Sequence, residues 1–313
     1  MDALTDLLAE VRLQGTLYFR ATLGGEWGVR FQRRGRAPFY IVTQGQCLVE
    51  LEGRATPIVL RTGDLLILPR GQAHVLKSSP GAPVMEREEF NARHPMNARG
   101  QAFLGVGKQP VTVLDGGFFA SDETERSALV EALPPVLHLK ASDGRVASWL
   151  EPTLRFIAVE REEGQQGSQA VLSRLADILF VQAIRAHLKE APPRRAGWLR
   201  GLADPQIAEA LAAMHRHPEQ NWTVLSLARH VGMSRTAFSS RFARLVGTPP
   251  LHYLAQWRVH RAAQILRTEG ARLGAVAERV GYGSEPALSR AFKRIMKTAP
   301  GHYRQQARRA SAD

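Results

Sequence analysis

At 313 residues, 44% of them hydrophobic, the chain has material for about two packed domains and is neither disordered nor fibrous by composition. Its formal charge of +13 lies wholly in residues 191–313, because 22 Lys/Arg in residues 1–190 are matched there by 22 Asp/Glu. A single cysteine excludes an internal disulfide. The acids among the first ten residues and the lack of any apolar run of about 18 residues argue against a signal peptide and a membrane span, so a cytoplasmic chain with no membrane partner is expected.

The segment from about residue 15 to 115 reads as short strands. Phe39–Thr43, Cys47–Leu51, Ile58–Leu60, Leu65–Leu68 and Val111–Leu114 are apolar runs parted by Gly, Pro and charged residues, the spacing of a β-sandwich or barrel. The period then turns helical: Leu150, Leu154 and Ile157 mark one helix, and Leu172, Leu175, Leu179 and Ala183 a second. Ala191-Pro-Pro-Arg-Arg-Ala-Gly197 looks like a linker, taken as residues 191–203. Asp204-Pro205 then starts a helix, with an acid at the cap and proline at the first helical position.

An internal repeat fills the remainder. Ala228, Val231 and Gly232 recur as Ala277, Val280 and Gly281 at an offset of 49, and Ser234, Phe242, Thr248, Pro250 and Tyr253 recur as Ser284, Phe292, Thr298, Pro300 and Tyr303 at an offset of 50. Each copy places a Gly where a helix ends left-handed, a Ser that caps the next helix, and an apolar face through Phe238, Phe242 and Leu245 or Leu288, Phe292 and Ile295. These are helix-turn-helix units, at about 223–246 and 273–297, whose second helices suit the DNA major groove. Outward positions are Thr236 and Ser240, flanked by Ser239 and Arg244, in the first copy. In the second they are Pro286, Arg290, Lys293 and Lys297. Arg290 has the reach for bidentate guanine contact, while Arg244, Lys293 and Arg294 suit phosphates. Arg235, Ser284, Glu285 and Ser289 complete the candidate DNA-binding set.

On these residues the segment 204–305 resembles the DNA-binding domain of the AraC/XylS regulators, most closely in Gly281-Tyr-Gly-Ser284, Ser289-Arg-Ala-Phe-Lys-Arg294 and Ala299-Pro-Gly-His-Tyr303. The resemblance implies two units joined by a long helix, here about Pro249–Arg267, reading successive major grooves of double-stranded DNA. It carries base contacts onto Thr236, Ser239, Ser240, Ser289 and Arg290. Pro286 departs from the family pattern, since it cannot donate a hydrogen bond.

In the first half Gly63-Asp-Leu-Leu-Ile-Leu-Pro69-Arg-Gly71-Gln-Ala-His74 fits a cupin motif, G-x5-P-x-G-x2-H. The partner motif should bring two more histidines and a carboxylate, yet His74 is the first histidine of the chain; Gln32, Arg34 and Pro38 stand where those ligands would fall. One histidine does not hold a divalent metal, so neither metal nor cofactor is expected. Together with Phe39-Tyr-Ile-Val42, Gly45-Gln-Cys47 and Pro134-Pro-Val-Leu-His138, the motif makes residues 1–190 resemble the cupin-type effector domains of one AraC-like group. That group usually shows a histidine where Tyr40 stands. The resemblance implies small-molecule sensing, with Tyr40, Cys47 and His74 as candidate effector-binding residues, and homodimerisation through helices at about 148–162 and 168–189. Cys47 also invites a redox reading, against which stands simple packing on a strand. Gly105-Val-Gly-Lys108 partly matches a phosphate loop but lacks its first Gly and its Ser/Thr.

The expectation is therefore an α+β chain: a cupin-like β-barrel with trailing helices, then an all-α domain with two helix-turn-helix units. It would act as a sequence-specific regulator of transcription, an activator answering to a small molecule or stress, with RNA polymerase as a further partner and no catalytic residues. The alternative is a metal-dependent cupin enzyme fused to a DNA-binding domain.

Overall fold

The computed structural model describes residues 4–5, 14–33, 36–105, 107–120, 133–190, 197–269 and 271–310. The chain divides into two compact units between Ala191 and Pro192.

The first unit holds eleven strands: β1 (Gln14–Gly24), β2 (Gly28–Phe31), β3 (Ala37–Gln44), β4 (Gln46–Leu51), β5 (Ile58–Arg61), β6 (Leu65–Ile67), β7 (His74–Lys77), β8 (Met85–Glu86), β9 (Gln101–Leu104), β10 (Val111–Ala120) and β11 (Leu137–Leu139). They form a six-stranded sheet, β11-β6-β3-β10-β1-β9, and a five-stranded sheet, β5-β4-β7-β2-β8, antiparallel except at β1–β9 and β2–β8. The two sheets share one core, to which Leu23, Val42, Leu66 and Leu114 come from the first and Val29, Val49, Leu60 and Leu76 from the second. The expected barrel is thus built as a two-sheet sandwich. All five expected strands form. β1, β2, β7, β8, β9 and β11 add to them, as does a short helix, α1 (Arg87–Arg93).

Strand β3 shows why the sequence lacks a clean polar alternation there. Tyr40 and Val42 point into the core between the sheets, while Phe39 on the other face meets Phe119, 4.8 Å away between ring centroids. Phe119 in turn meets Phe180 at 4.7 Å, on one of two helices, α2 (Gly144–Glu163) and α3 (Ser168–Glu190). A strand covered on both faces reads as a continuous apolar run. Helix α3 approaches β1 closely enough that a Cβ at Gly15 would lie 2.5 Å from the Ala176 Cβ. Hydrogen bonds lock this contact: Gly15 N donates to Asp177 at 2.7 Å, and Ser173 Oγ donates to the Gly15 carbonyl at 2.6 Å.

The second unit is helical: α4 (Trp198–Leu202), α5 (Pro205–Arg216), α6 (Val224–His230), α7 (Arg235–Val246), α8 (Pro250–Thr268), α9 (Leu273–Arg279), α10 (Glu285–Met296) and α11 (Pro300–Ala310). The linker expected at 191–203 is corrected at its end. Residues 191–196 lie outside the described residues, but 198–202 form α4, which belongs to this unit because Leu199 is buried and Gly197 N donates to the Leu245 carbonyl at 2.9 Å. Asp204 caps α5 as expected, its side chain accepting from Ile207 N at 3.2 Å. Helix α8 spans the unit and packs on α7, α9, α10 and α11.

Candidate functional site

The two halves of the second unit repeat in detail. Helix α6 ends at Gly232, φ 65°, and α9 at Gly281, φ 81°, in the left-handed region that glycine enters without a Cβ clash. Met233 N donates to the Ala228 carbonyl at 2.8 Å and Tyr282 N to the Ala277 carbonyl at 2.8 Å, the six-to-one bond of a Schellman turn. Ser234 then accepts from Ala237 N, and Ser284 from Ala287 N, starting α7 and α10. The aromatic packing repeats too: Phe242 meets Tyr253 edge-on at 5.9 Å and Phe292 meets Tyr303 at 5.5 Å.

This framing turns one face of each second helix into solvent. On α7, Phe238, Phe242 and Leu245 are buried while Arg235, Thr236, Ser240 and Arg244 are exposed, with Ser239 partly covered. On α10, Leu288, Ala291 and Phe292 are buried. Glu285, Arg290, Lys293 and Arg294 are exposed there beside the capping Ser284, and Ser289 is partly covered. The expected residues therefore gather on two outward faces. Arg241, on the same helix as Arg244, turns back instead: its guanidinium binds Asp204 at 2.6 Å and Gln206 at 3.0 Å, tying α7 to the start of α5. Sequence reasoning saw Asp204 only as a cap.

The copies differ at their edges. A capping box between Thr223 and Ser226 starts α6, whereas Arg272 precedes α9 with no side-chain cap. Helix α7 ends on Gly247, φ 83°, but α10 ends on Lys297 at φ 59°, the one non-glycine with positive φ among the described residues.

The first unit contains a cavity of about 320 Å³ between its sheets, walled by Phe19, Phe31, Phe90 and Phe118 among others, with Tyr40 and His74 in its lining. Tyr40 and His74 form a buried pair, Oη to Nε2, at 2.6 Å. The His74 Nδ1 lies 2.8 Å from the Gln72 carbonyl, which can only accept, so Nδ1 carries the proton and Nε2 accepts from the Tyr40 hydroxyl. Phe31 stacks on the imidazole at 4.9 Å. Burial pushes His74 down to about 4, and burial likewise raises Tyr40, so both are neutral near pH 7.

One candidate residue lies elsewhere. Cys47 does not line the cavity; it sits in the core opposite Leu60 on β5, and burial pushes its thiol up to about 12, which fits packing rather than ligand or redox chemistry. Asp64, in the cupin motif, is structural. Burial opposes its ionisation, but hydrogen bonds from His138, Ala141 N and Arg61 N outweigh this and hold its carboxyl below the usual range. The donor set at His74, a phenol and a ring stack, does not fit a divalent metal, and no three His, Cys, Asp or Glu side chains come together among the described residues. The cavity walls were missed from sequence, because Phe19 and Phe31 lie on strands that no motif marks.

Comparison with known proteins agrees with this division. The family model described as cupin matches residues 2–189, and that described as a helix-turn-helix domain matches residues 227–306. The chain is 38% identical to a Streptomyces lividans protein described as an AraC-like transcription regulator, over 97% of this chain and 98% of the relative. A Streptomyces antibioticus protein with the same description is also 38% identical, covering 97% and 98%. The HTH-type transcriptional regulator AlkR of Acinetobacter baylyi is 31% identical over 98% of this chain and 100% of its own length. No helix among the described residues is long and apolar enough to cross a membrane. The duplicated, capped helix-turn-helix units behind a cupin-type sensing domain, and relatives matched along nearly the whole chain, place this protein in the AraC-like family of DNA-binding transcription regulators.

Proposed function

We propose that α7 and α10 enter successive major grooves of one operator, and that the cavity between the sheets receives the small molecule that controls binding. The observation that carries this reading is the matched geometry of the two turns, which turns two basic faces outward in the same manner. Arg290 is the base reader of α10 because it is exposed early in the helix and presents a guanidinium fork. Glu285 suits a cytosine amino group and repels phosphate. Thr236, Ser239, Ser240 and Ser289 read by close approach or through water, while Arg235, Arg244, Lys293 and Arg294 hold phosphates. Ser284 keeps its hydroxyl proton for a phosphate oxygen while it caps α10.

The chain acts by binding rather than catalysis, as a homodimer and as an activator that contacts RNA polymerase. Support for the dimer comes from Phe156, Val159 and Ile178, large apolar side chains left about half exposed on α2 and α3.

The test is binding-site selection with two variants. Arg290→Ala should cost about 1–3 kcal/mol on the preferred site and relax one or two base positions. Lys293→Ala should weaken all sequences alike and lower the salt dependence by about one unit. Full preference retained by Arg290→Ala would show that its role is misassigned.

A further inference from the structure

The polar residues that line the cavity are one-sided in charge. They are Gln32, Arg36, Tyr40, His74, Arg87 and Asn91: two guanidiniums, neutral groups and no carboxylate. Arg36 is held over the Phe118 ring, 4.4 Å from its centroid, and has no ion-pair partner among the described residues. Arg87 lies at the start of α1; one of its nitrogens pairs with the exposed Glu88 at 3.1 Å, which is outside the lining. Its charge still reaches the inner end of the cavity, where it partly offsets the burial that raises the Tyr40 phenol. Of the other neighbouring acids, Glu86 is engaged by Gln32 at 3.1 Å and by Arg30 at 3.2 Å, and Glu89 by Arg93 at 2.7 Å. Behind the rim the walls are aromatic, and the neutral Tyr40–His74 pair has already satisfied its own hydrogen bonds inward.

We propose that this cavity selects small organic anions, with Arg36 and Arg87 taking a carboxylate at the rim and the aromatic walls enclosing an apolar body. The inference rests on the reading of the cavity as the effector site and adds the ligand's chemical class. Its volume lies near the low end of the roughly 300–1,000 Å³ typical of small-molecule sites, which limits the body to about one ring or a short alkyl chain. A planar guanidinium gives two parallel charge-assisted hydrogen bonds to a carboxylate; an alcohol oxygen accepts only a single neutral-acceptor bond, and a protonated amine is repelled. Being partly exposed, the two arginines contribute discrimination more than bulk affinity.

The test uses the full chain and two matched trios of probes: cinnamate, cinnamyl alcohol and cinnamylamine, then octanoate, octanol and octylamine. Isothermal calorimetry should show at least one acid binding about tenfold more tightly than its alcohol, and both amines more weakly still. Replacing both arginines, Arg36→Gln with Arg87→Gln, should bring that acid within about twofold of its alcohol while the alcohol's own affinity holds. Equal binding of acid and alcohol, or acid binding untouched by the double variant, overturns anion selection and leaves the cavity as a small-molecule site. Failure of all six probes to bind overturns the cavity reading along with it.

Discussion

Two histidines show how burial sets chemistry residue by residue. His74 and His215 are both nearly inaccessible, and burial pushes them down to about 4 and about 3. His215, on α5, bonds Tyr253 at 2.8 Å and stacks on Trp257 at 3.6 Å, both on α8. A histidine whose folded pKa is depressed contributes its full stability above the unfolded value near 6.5. That contribution falls as the pH drops toward the folded value, because the unfolded chain takes the proton first. For His74 the loss should run at about 1.4 kcal/mol per pH unit between about 6.5 and about 4. Thermal melts of the sensing unit across that range should show the slope, and His74→Gln should flatten it. A slope unchanged in that variant would assign the acid sensitivity elsewhere. Between pH 7 and 8 neither histidine titrates, so effector binding by the cavity should be insensitive to pH there.

At the scale of elements, the informative part is how α8 joins the two helix-turn-helix units. From this helix Arg258 donates to the Pro218 carbonyl at 2.7 Å and to the Gln220 carbonyl at 2.8 Å, both in the loop between α5 and α6. The same guanidinium lies against the turn of the second unit, where a Cβ at Gly281 would meet it at 2.7 Å and the Pro218 carbonyl at 2.5 Å. One side chain therefore spaces the first unit's loop from the second unit's turn, and with it α7 from α10. Arg258→Met keeps the aliphatic stem but loses both bonds, and should cost about 2 kcal/mol of stability. It should also broaden the tolerated spacing between the two half-sites, measured by selection on libraries with one base pair inserted or removed. A variant that is destabilised yet keeps strict spacing would confine Arg258 to a structural role. Gly281 is doubly constrained, by its φ and by this crowding, whereas a Cβ at Gly232 would meet nothing within 4 Å, so the first copy needs glycine for its φ alone.

For the whole molecule, the two units differ in charge and task. The polyanion-binding excess belongs to the helical unit, whereas the sensing unit is balanced in net charge and pairs Arg20 with the buried Asp115 at 2.8 Å. A fragment of residues 197–313 should therefore bind operator DNA without the sensing unit, and residues 1–190 should not bind it. Starting the fragment at residue 204 removes α4 and the buried Leu199, and should lower stability by about 2 kcal/mol. Gel shifts and melts of the three fragments check both claims; DNA binding by residues 1–190, or equal stability of the two longer and shorter helical fragments, would refute them. In the full chain, Phe156→Asp with Val159→Asp should shift sedimentation from dimer to monomer if α2 forms the dimer face.

The helical unit was legible from sequence because its determinants are local. Gly232 and Gly281, the capping Ser234 and Ser284, and the apolar faces through Phe242 and Phe292 each act within a turn or two of chain, and a duplicated pattern declares itself. Strands β3 to β6 and the start of β10 were legible for a similar reason, as short apolar runs between turn residues. What only the tertiary structure decided depends on contacts distant in sequence. Strands β1, β2 and β9 pair with partners up to about a hundred residues away. The cavity is assembled from six separate strands and a helix, so no spacing announces Phe31 against His74 or Arg87 near Tyr40. Cys47 and Asp64 both stand in the strand-rich half, yet burial made the first inert and hydrogen bonds made the second a brace. Residue type sets which chemistry is available, and long-range packing, by removing water and choosing neighbours, sets which of it is expressed.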